Sequence, residues 1–274
     1  GITTPGFEQR LLELGMQWWN EPSRMIRAIA AASPKAEPQD PVPDQHTTPG
    51  QNVVTGAPAR ALTPQLNHAT VMTVKSAAEA QALAREWGKL VLKVEDARFP
   101  HKTELGLVSG LLEEHQVAAA FSAIEAARHA ADAEETPITA QRAEKGIELA
   151  FGGYQDPVFG PSVMVAMGGI HLEIDKDLAL AVAPVSKEAA RRLILSLRGA
   201  PVLVGARGKG PADINAAASA LSTFSQIFAA TNGAWSSADL NPVIVKEQGQ
   251  GVVVVDIVLV PAENTASDSS RKGQ

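Results

Sequence analysis

Residues Gly146 to Pro184 read GIELAFGGYQDPVFGPSVMVAMGGIHLEIDKDLALAVAP. Short apolar runs alternate with an Asp-Pro, a Phe-Gly-Pro and two Gly-Gly pairs, the pattern of strands separated by tight turns. Glycine admits backbone conformations closed to other residues and lets a polar ligand approach the main chain closely. Carboxylates at Glu148, Asp156, Glu173, Asp175 and Asp177 punctuate the same stretch. A sheet with glycine turns and acids at its strand ends suits a nucleotide and its metal.

The order of residues resembles the ATP-grasp part of NDP-forming acyl-CoA synthetases, the family that includes ADP-forming acetate–CoA ligases and is related to succinyl-CoA synthetases. Its members show a G-[IV]-E-[LV] strand, a D-P-x-F-G-P turn and a G-G-I-x-x-E-x-x-x-D run. Here these are Gly146 to Leu149, Asp156 to Pro161 and Gly168 to Asp177. The likeness spans Ala69 to Val260 and is densest from Gly146 onward. It implies an α+β (α/β), two-lobed ATP-grasp fold with mixed sheets, and Mg²⁺ with ATP or ADP as cofactors.

Composition sets the outer bounds. A chain of 274 residues, 45% hydrophobic, has material for one large or two smaller cores. The formal charge of −6, with Lys and Arg scattered, argues against a nucleic-acid surface. The absence of cysteine removes disulfides, thiolate metal sites and thiol nucleophiles. With no long apolar run and no signal peptide, the expected place is the cytoplasm, away from membranes. The first residue is Gly rather than Met, which reads as a processed or excised piece.

Along the chain, FEQRLLELGMQWWNEPSRMIRAIAAA (7–32) has helical periodicity, with Pro22 starting a new helix. Leu14, Gly15, Met16, Pro22, Arg24, Arg27 and Ala28 loosely resemble the end of the ligase domain that precedes ATP-grasp in fused members; a plain surface helix is the alternative. Composition then shifts to Pro, Gln, Asp, Thr and Gly, too polar to offset chain entropy by burial. The expected organisation is a helical segment at 1–35, a linker at 36–64, ATP-grasp lobes at 65–142 and 143–262, and a disordered tail at 263–274. Within the first lobe VMTV, a helix capped by Ser76 and ending near Gly88, and KLVLKV read as strand, helix, strand.

Lys93 closes KLVLK, where a strand-end lysine beside a cleft places a point charge on phosphates; the resemblance makes it the lysine of a V-V-L-K strand, and the plain alternative is an edge-strand lysine. PHKTELGLVSG resembles the family's L-H-K-S-D-V-G-G-V, which implies His101 as phosphoryl acceptor. Neutral imidazole is a competent nucleophile near pH 7, although a lone loop histidine is ordinarily a surface residue. Lys102, Thr103 and the backbone at Gly106 would offer donors to phosphate. Leu107 departs from the family's second glycine. Gln141-Arg142 stands in place of V-Q-E-M, and Glu148 follows the hinge, where it would meet ribose or metal. Arg207 in GARG matches G-x-R-G and would pair with phosphate, or else is a solvated loop arginine.

SADLNPVIV resembles E-L-D-I-N-P-L-I-V. Asp239 and Asn241 alternate along one strand and share a face, and Asp256 on the next strand is placed to join them. Hard oxygens suit Mg²⁺; the expected ligands are Asn241 and Asp256, supported by Asp239, against the alternative of turn residues before Pro242. Ile257 and Val258 stand where members have Ala and Arg. His171 is read as a packing variant, and His115, His129, His46 and His68 carry no expected chemistry.

The resemblance implies an ATP-grasp module of an acid–CoA ligase (ADP-forming). It would transfer phosphoryl to or from histidine during acyl-CoA + phosphate + ADP = carboxylate + CoA + ATP, and would need a CoA-binding ligase domain or subunit as partner. The departures at Leu107, Arg142 and Ile257 motivate a second reading, a catalytically degenerate nucleotide-binding or assembly module. A carboxylate–amine ligase is disfavoured by the His101 loop.

Overall fold

The computed structural model describes residues 53–99, 102–168, 177–205 and 210–262. The chain divides into two compact units, residues 1–47 with 157–159, and residues 48–156 with 160–274. The helical segment at 1–35 and the tail at 263–274 lie outside the described residues. The second unit holds two sheets, each backed by helices on one face.

The smaller sheet has the order β2–β4–β3, from Val71–Thr73, Ile138–Arg142 and Leu90–Val94. Its strands are linked by helices at Ala77–Trp87 and Glu114–Ala130, here α2 and α3. Alternation along β3 and β4 sends Leu90, Leu92, Val94, Ile138 and Ala140 into a core with Val117, Phe121 and Ile124 of α3. The opposite residues, Val91, Lys93, Thr139 and Gln141, line the face that carries no helix. Ser76 caps α2 by accepting from Glu79 N, and Gly88 ends it at φ +83°, as the sequence pattern requires.

The larger sheet has the path β1–β10–β8–β5–β6–β7, with β9 added beside β8. Its strands are Val54–Thr55 (β1), Ile147–Asp156 (β5), Gly160–Met167 (β6), Leu178–Val182 (β7), Trp235–Val245 (β8), Val252–Val254 (β9) and Ile257–Pro261 (β10). Helices α4 (Lys187–Ser196), α5 (Ala200–Val204) and α6 (Ile214–Ala230) complete the lobe. Leu149, Phe151, Val165, Leu240 and Leu259 are wholly buried against Ile194, Leu221, Phe224 and Phe228. On the other face, register aligns Val258, Asp239, Gly152, Met164 and Leu180 in one row across five strands. The Asp-Pro turn joins β5 to β6 with Gly160 at φ +75°.

Two expectations change. The linker expected over 36–64 gives way, within its described part, to β1 and helix α1 (Gly56–Leu62), with Ala59 fully buried in the larger core. Pairing with β10, far away in sequence, supplies the burial that local composition lacks. The expected mixed sheets are antiparallel in every ladder between described strands; β2 and β3 run the same way but β4 lies between them.

Just after β3, Asp96 is buried and accepts from Arg98 and from Thr136 Oγ1 at 2.8 Å. Hydrogen bonds from the Arg98 guanidinium lead in lowering its pKa from 3.8 to about 2. A carboxylate with a depressed folded pKa contributes stability that is complete above its unfolded value and is lost as pH falls through the folded one. Asp96→Asn is expected to cost about 1–2 kcal/mol near neutrality, discounted because Arg98 is exposed, and to flatten the stability profile between about pH 4 and 2. Urea titrations across that range check it.

Candidate nucleotide and metal site

The two bare sheet faces touch at Val255–Asp256. Lys93, only 5% exposed, donates from Nζ to Asp256 Oδ1 at 2.6 Å. Gln141, also buried, donates from Nε2 to Val255 O at 2.7 Å. The side chain of Gln141 thus ties the small sheet to the large one.

The strand that carries Asp239 bulges where it meets β5: Leu149 pairs with Val243 and Phe151 with Leu240, so two residues, Asn241 and Pro242, oppose Ala150 alone. The bulge keeps Leu240 and Val243 in the core while Asp239 and Asn241 stay on the bare face. Asn241 N donates to Asp256 O at 3.1 Å and Val255 N to Pro242 O at 2.9 Å, which locks the Asp256 segment beside Asn241. Asp239 keeps solvent access, yet the chain packed around its carboxyl and then the nearby Asp256 raise its pKa.

Lys102 opens the turn that follows the undescribed residues 100–101. Burial lowers the pKa of its ammonium, opposed by Asp256, Glu95 and Asp96 and aided by Lys93. Two lysines and the acid pair Asp239–Asp256 therefore share one electrostatic neighbourhood. Gly106 has φ +68°, a left-handed conformation that favours glycine, but its N–H donates to Thr103 O. The donor expected to face phosphate is engaged within its own turn. Leu107 is wholly buried in the small core, which explains why a leucine is tolerated there. Glu148 is exposed on β5, on the same bare face as Asp239, with its carbonyl accepting from Gly168 N. His101 and Arg207 lie outside the described residues, as do Glu173, Asp175 and His171.

The sequence reading did not single out two features. Glu144, its side chain 6% exposed, accepts from Arg142 at 3.0 Å and pairs with Lys246 at 2.7 Å, fixing the connection between lobes. This gives Arg142 a partner of its own. Arg60 and Glu95 form a second link, described below. Asp177, counted among the candidate acids, accepts from Arg198 N and Gly199 N at 2.8 Å each. Its carboxylate ties down the turn between α4 and α5. Asp177→Ala is expected to lose about 1–3 kcal/mol of stability, two backbone donors being left without partners, while nucleotide affinity is retained. Thermal unfolding beside a nucleotide titration checks both halves.

Among the described residues no three His, Asp or Glu side chains cluster as a closed metal cage. The donor set that is present, two carboxylates and an amide oxygen, fits Mg²⁺, which is usually held by one or two carboxylates and completed by water and phosphate. The mutual repulsion of Asp239 and Asp256 is what such a cation would relieve.

Two helix-backed sheets, with cations on one bare face and hard oxygens on the other, define a phosphate-handling fold of the nucleotide-clamping class. The ATP-grasp domain family matches residues 48–260, and the chain belongs to it, in the form carried by ADP-forming acyl-CoA synthetases. It is similar to trans-feruloyl-CoA synthase FCS1 of an unknown prokaryotic organism, 30% identical over 95% of this chain and 39% of that protein. It is also similar to the beta subunit of acetate–CoA ligase [ADP-forming] II of Pyrococcus furiosus, 37% identical over 45% of this chain and 52% of that one. The chain therefore spans between about two fifths and one half of these two relatives. Among solved structures, acetyl-coenzyme A synthetase 1 of Ca. Korarchaeum cryptofilum, with coenzyme A and Mg-AMPPCP and its phosphohistidine segment pointing towards the nucleotide binding site, superposes with TM-score 0.61 at 31% identity. That match covers 74% of this chain and 90% of that one. No helix among the described residues is long and apolar enough to cross a membrane.

Proposed function

We propose that the chain binds Mg²⁺-ATP or Mg²⁺-ADP between its two bare sheet faces and transfers phosphoryl between nucleotide and a histidine. It would be the nucleotide-handling half of an ADP-forming acid–CoA ligase. The observation that carries the reading is the convergence of Lys93 and Lys102 with Asp239, Asn241 and Asp256 where the sheets touch. The Mg-AMPPCP held by the Korarchaeum relative supports it.

In this reading Lys93 and Lys102 orient the phosphate chain and offset its charge, and Arg207 adds a planar fork. Asp239, Asn241 and Asp256 would hold Mg²⁺, which supplies charge neutralisation at the phosphate oxygens when bound. Glu148 stands on the face where ribose or metal would lie. His101, or a histidine brought by a partner, accepts the γ-phosphoryl: the bond from phosphorus to the β,γ-bridging oxygen breaks as the N–P bond forms, and ADP departs with the electron pair. Catalysis of this kind is positioning and electrostatics rather than proton transfer.

The full reaction, acyl-CoA + phosphate + ADP = carboxylate + CoA + ATP, needs a CoA-binding ligase domain or subunit, and we assign that partner role to a companion of this chain. Residues 1–35 would then be the tail of such a domain, a reading supported by a match to the feruloyl-CoA synthase over 95% of this chain. The setting would be the cytoplasm, without nucleic acid or membrane.

Phosphoryl capture tests the proposal. Incubation with γ-labelled Mg-ATP should leave acid-labile, base-stable label on His101, absent in His101→Ala. Nucleotide binding without label would assign the acceptor to the partner. No Mg-dependent nucleotide binding at all would replace this reading by the degenerate module.

A further inference from the structure

Arg60 and Glu95 stand 35 residues apart in sequence and on different lobes. Arg60 belongs to α1, which is anchored to the larger core by Ala59 and continues from β1, the partner of β10. Glu95 directly follows β3. The guanidinium donates from both terminal nitrogens to both carboxylate oxygens, at 3.0 and 2.9 Å, and the side chains are only 18% and 10% exposed. The bidentate fork fixes direction as well as distance.

The site is built for that carboxylate. Gly56, at φ +64°, opens α1, and a Cβ there would lie 2.8 Å from Glu95 Oε2 and 3.0 Å from Glu95 Cβ. Glycine is thus demanded by conformation and by space, and the space is filled by Glu95. On the β3 side, Glu95 sits two residues beyond Lys93, and its charge acts on the Lys102 ammonium. A buried ion pair adds little net stability once both charges have lost water, and its better-attested effect is to select one arrangement over others.

We propose that the Arg60–Glu95 pair is the positioning brace that sets the lysine-bearing small sheet over the acid-bearing face of the large sheet. Arg60 and Glu95 act on nucleotide only through Lys93 and Lys102, and in this respect the inference rests on the function proposed above.

The test has an arm that needs no nucleotide. The chain has no native cysteine, so spin labels at Glu125→Cys on α3 and Gln226→Cys on α6 report the separation of the lobes in the full chain. The unaltered pair should give one narrow distance. Glu95→Gln, nearly isosteric, should lose it to a broad distribution, as should Gly56→Ala, which fills the cradle. Arg60→Met combined with Glu95→Gln should broaden it no more than either change alone. In parallel, Mg-ADP affinity should fall about tenfold in each variant, non-additively, by calorimetry. A role confined to stability would lower the melting temperature and leave distance and affinity unchanged; an unchanged narrow distance overturns the brace. A broadened distance with full Mg-ADP affinity overturns the claim that the brace positions the lysines. If the unaltered chain fails to bind Mg-ADP, the proposed function fails while the distances still decide the brace.

Discussion

Lys93→Met is expected to weaken Mg-ADP binding by roughly 30- to 150-fold, the loss of a charge-assisted contact of about 2–3 kcal/mol, while the chain stays folded. The reasoning rests on an asymmetry within one ion pair. The Lys93 side chain is 7% exposed and the Asp256 side chain 48%. Methionine removes the buried ammonium and matches its stem, and the carboxylate left behind keeps water. Stability should therefore change by no more than about 1 kcal/mol. The reverse substitution, Asp256→Ala, leaves an ammonium buried without its partner and should lower both stability and Mg-dependent binding. Calorimetric titration with Mg-ADP beside urea unfolding separates the two. Equal binding by Lys93→Met and the native chain would remove Lys93 from the site.

Gly146→Ala is expected to be the most damaging single-methyl change near the hinge, lowering stability by about 3 kcal/mol. Gly146 is exposed, so exposure alone would suggest tolerance. A Cβ at this position would nevertheless penetrate the carbonyl oxygen of Val245 and lie 2.7 Å from Ile244 Cγ2 and 2.8 Å from Val245 C. The obstacle is backbone, which cannot swing aside, and it lies at the first pair of the β5–β8 ladder, Ile147 with Val245. Relief requires separating the strands next to the Glu144–Lys246 contact. Thermal unfolding and the amide exchange of Ile147 report the effect. A loss below about 1 kcal/mol would show that the strands part easily there.

Much of the fold was legible because local chemistry and tertiary structure agree. Ser76 and Gly88 bound a helix in the sequence and in space, and the alternation in KLVLK sends Leu90 and Leu92 inward and Lys93 outward. The Asp-Leu-Asn-Pro run placed Asp239 and Asn241 on one face, as the β8 register has them. What escaped was decided by distant partners. Residues 54–62 look like linker because their burial comes from β10, and Arg60 gains meaning only from Glu95. Asp177 stood among the acids of the glycine-rich stretch with its role open, because a carboxylate near glycines is ambiguous in sequence; two backbone donors from another segment give it a structural part. Gln141 kept its place in the family pattern, but the structure gives its amide to Val255.

Thr55 Oγ1 donates to Ile257 O across 202 residues of chain, and among the described strands β1 pairs with β10 alone. The small lobe, by contrast, needs only residues already close along the chain: β2 is completed by β4 and its core by α2 and α3. Loop closure over such a span is slow relative to local pairing, and domains emerge from synthesis in order. The small lobe is thus expected to assemble while the large sheet is still waiting for its last strand. Lys93 is in place early, and Asp239, Asn241 and Asp256 reach it only from the C-terminal strands, so a chain halted before β8 would carry the cationic half of the site without its acidic half.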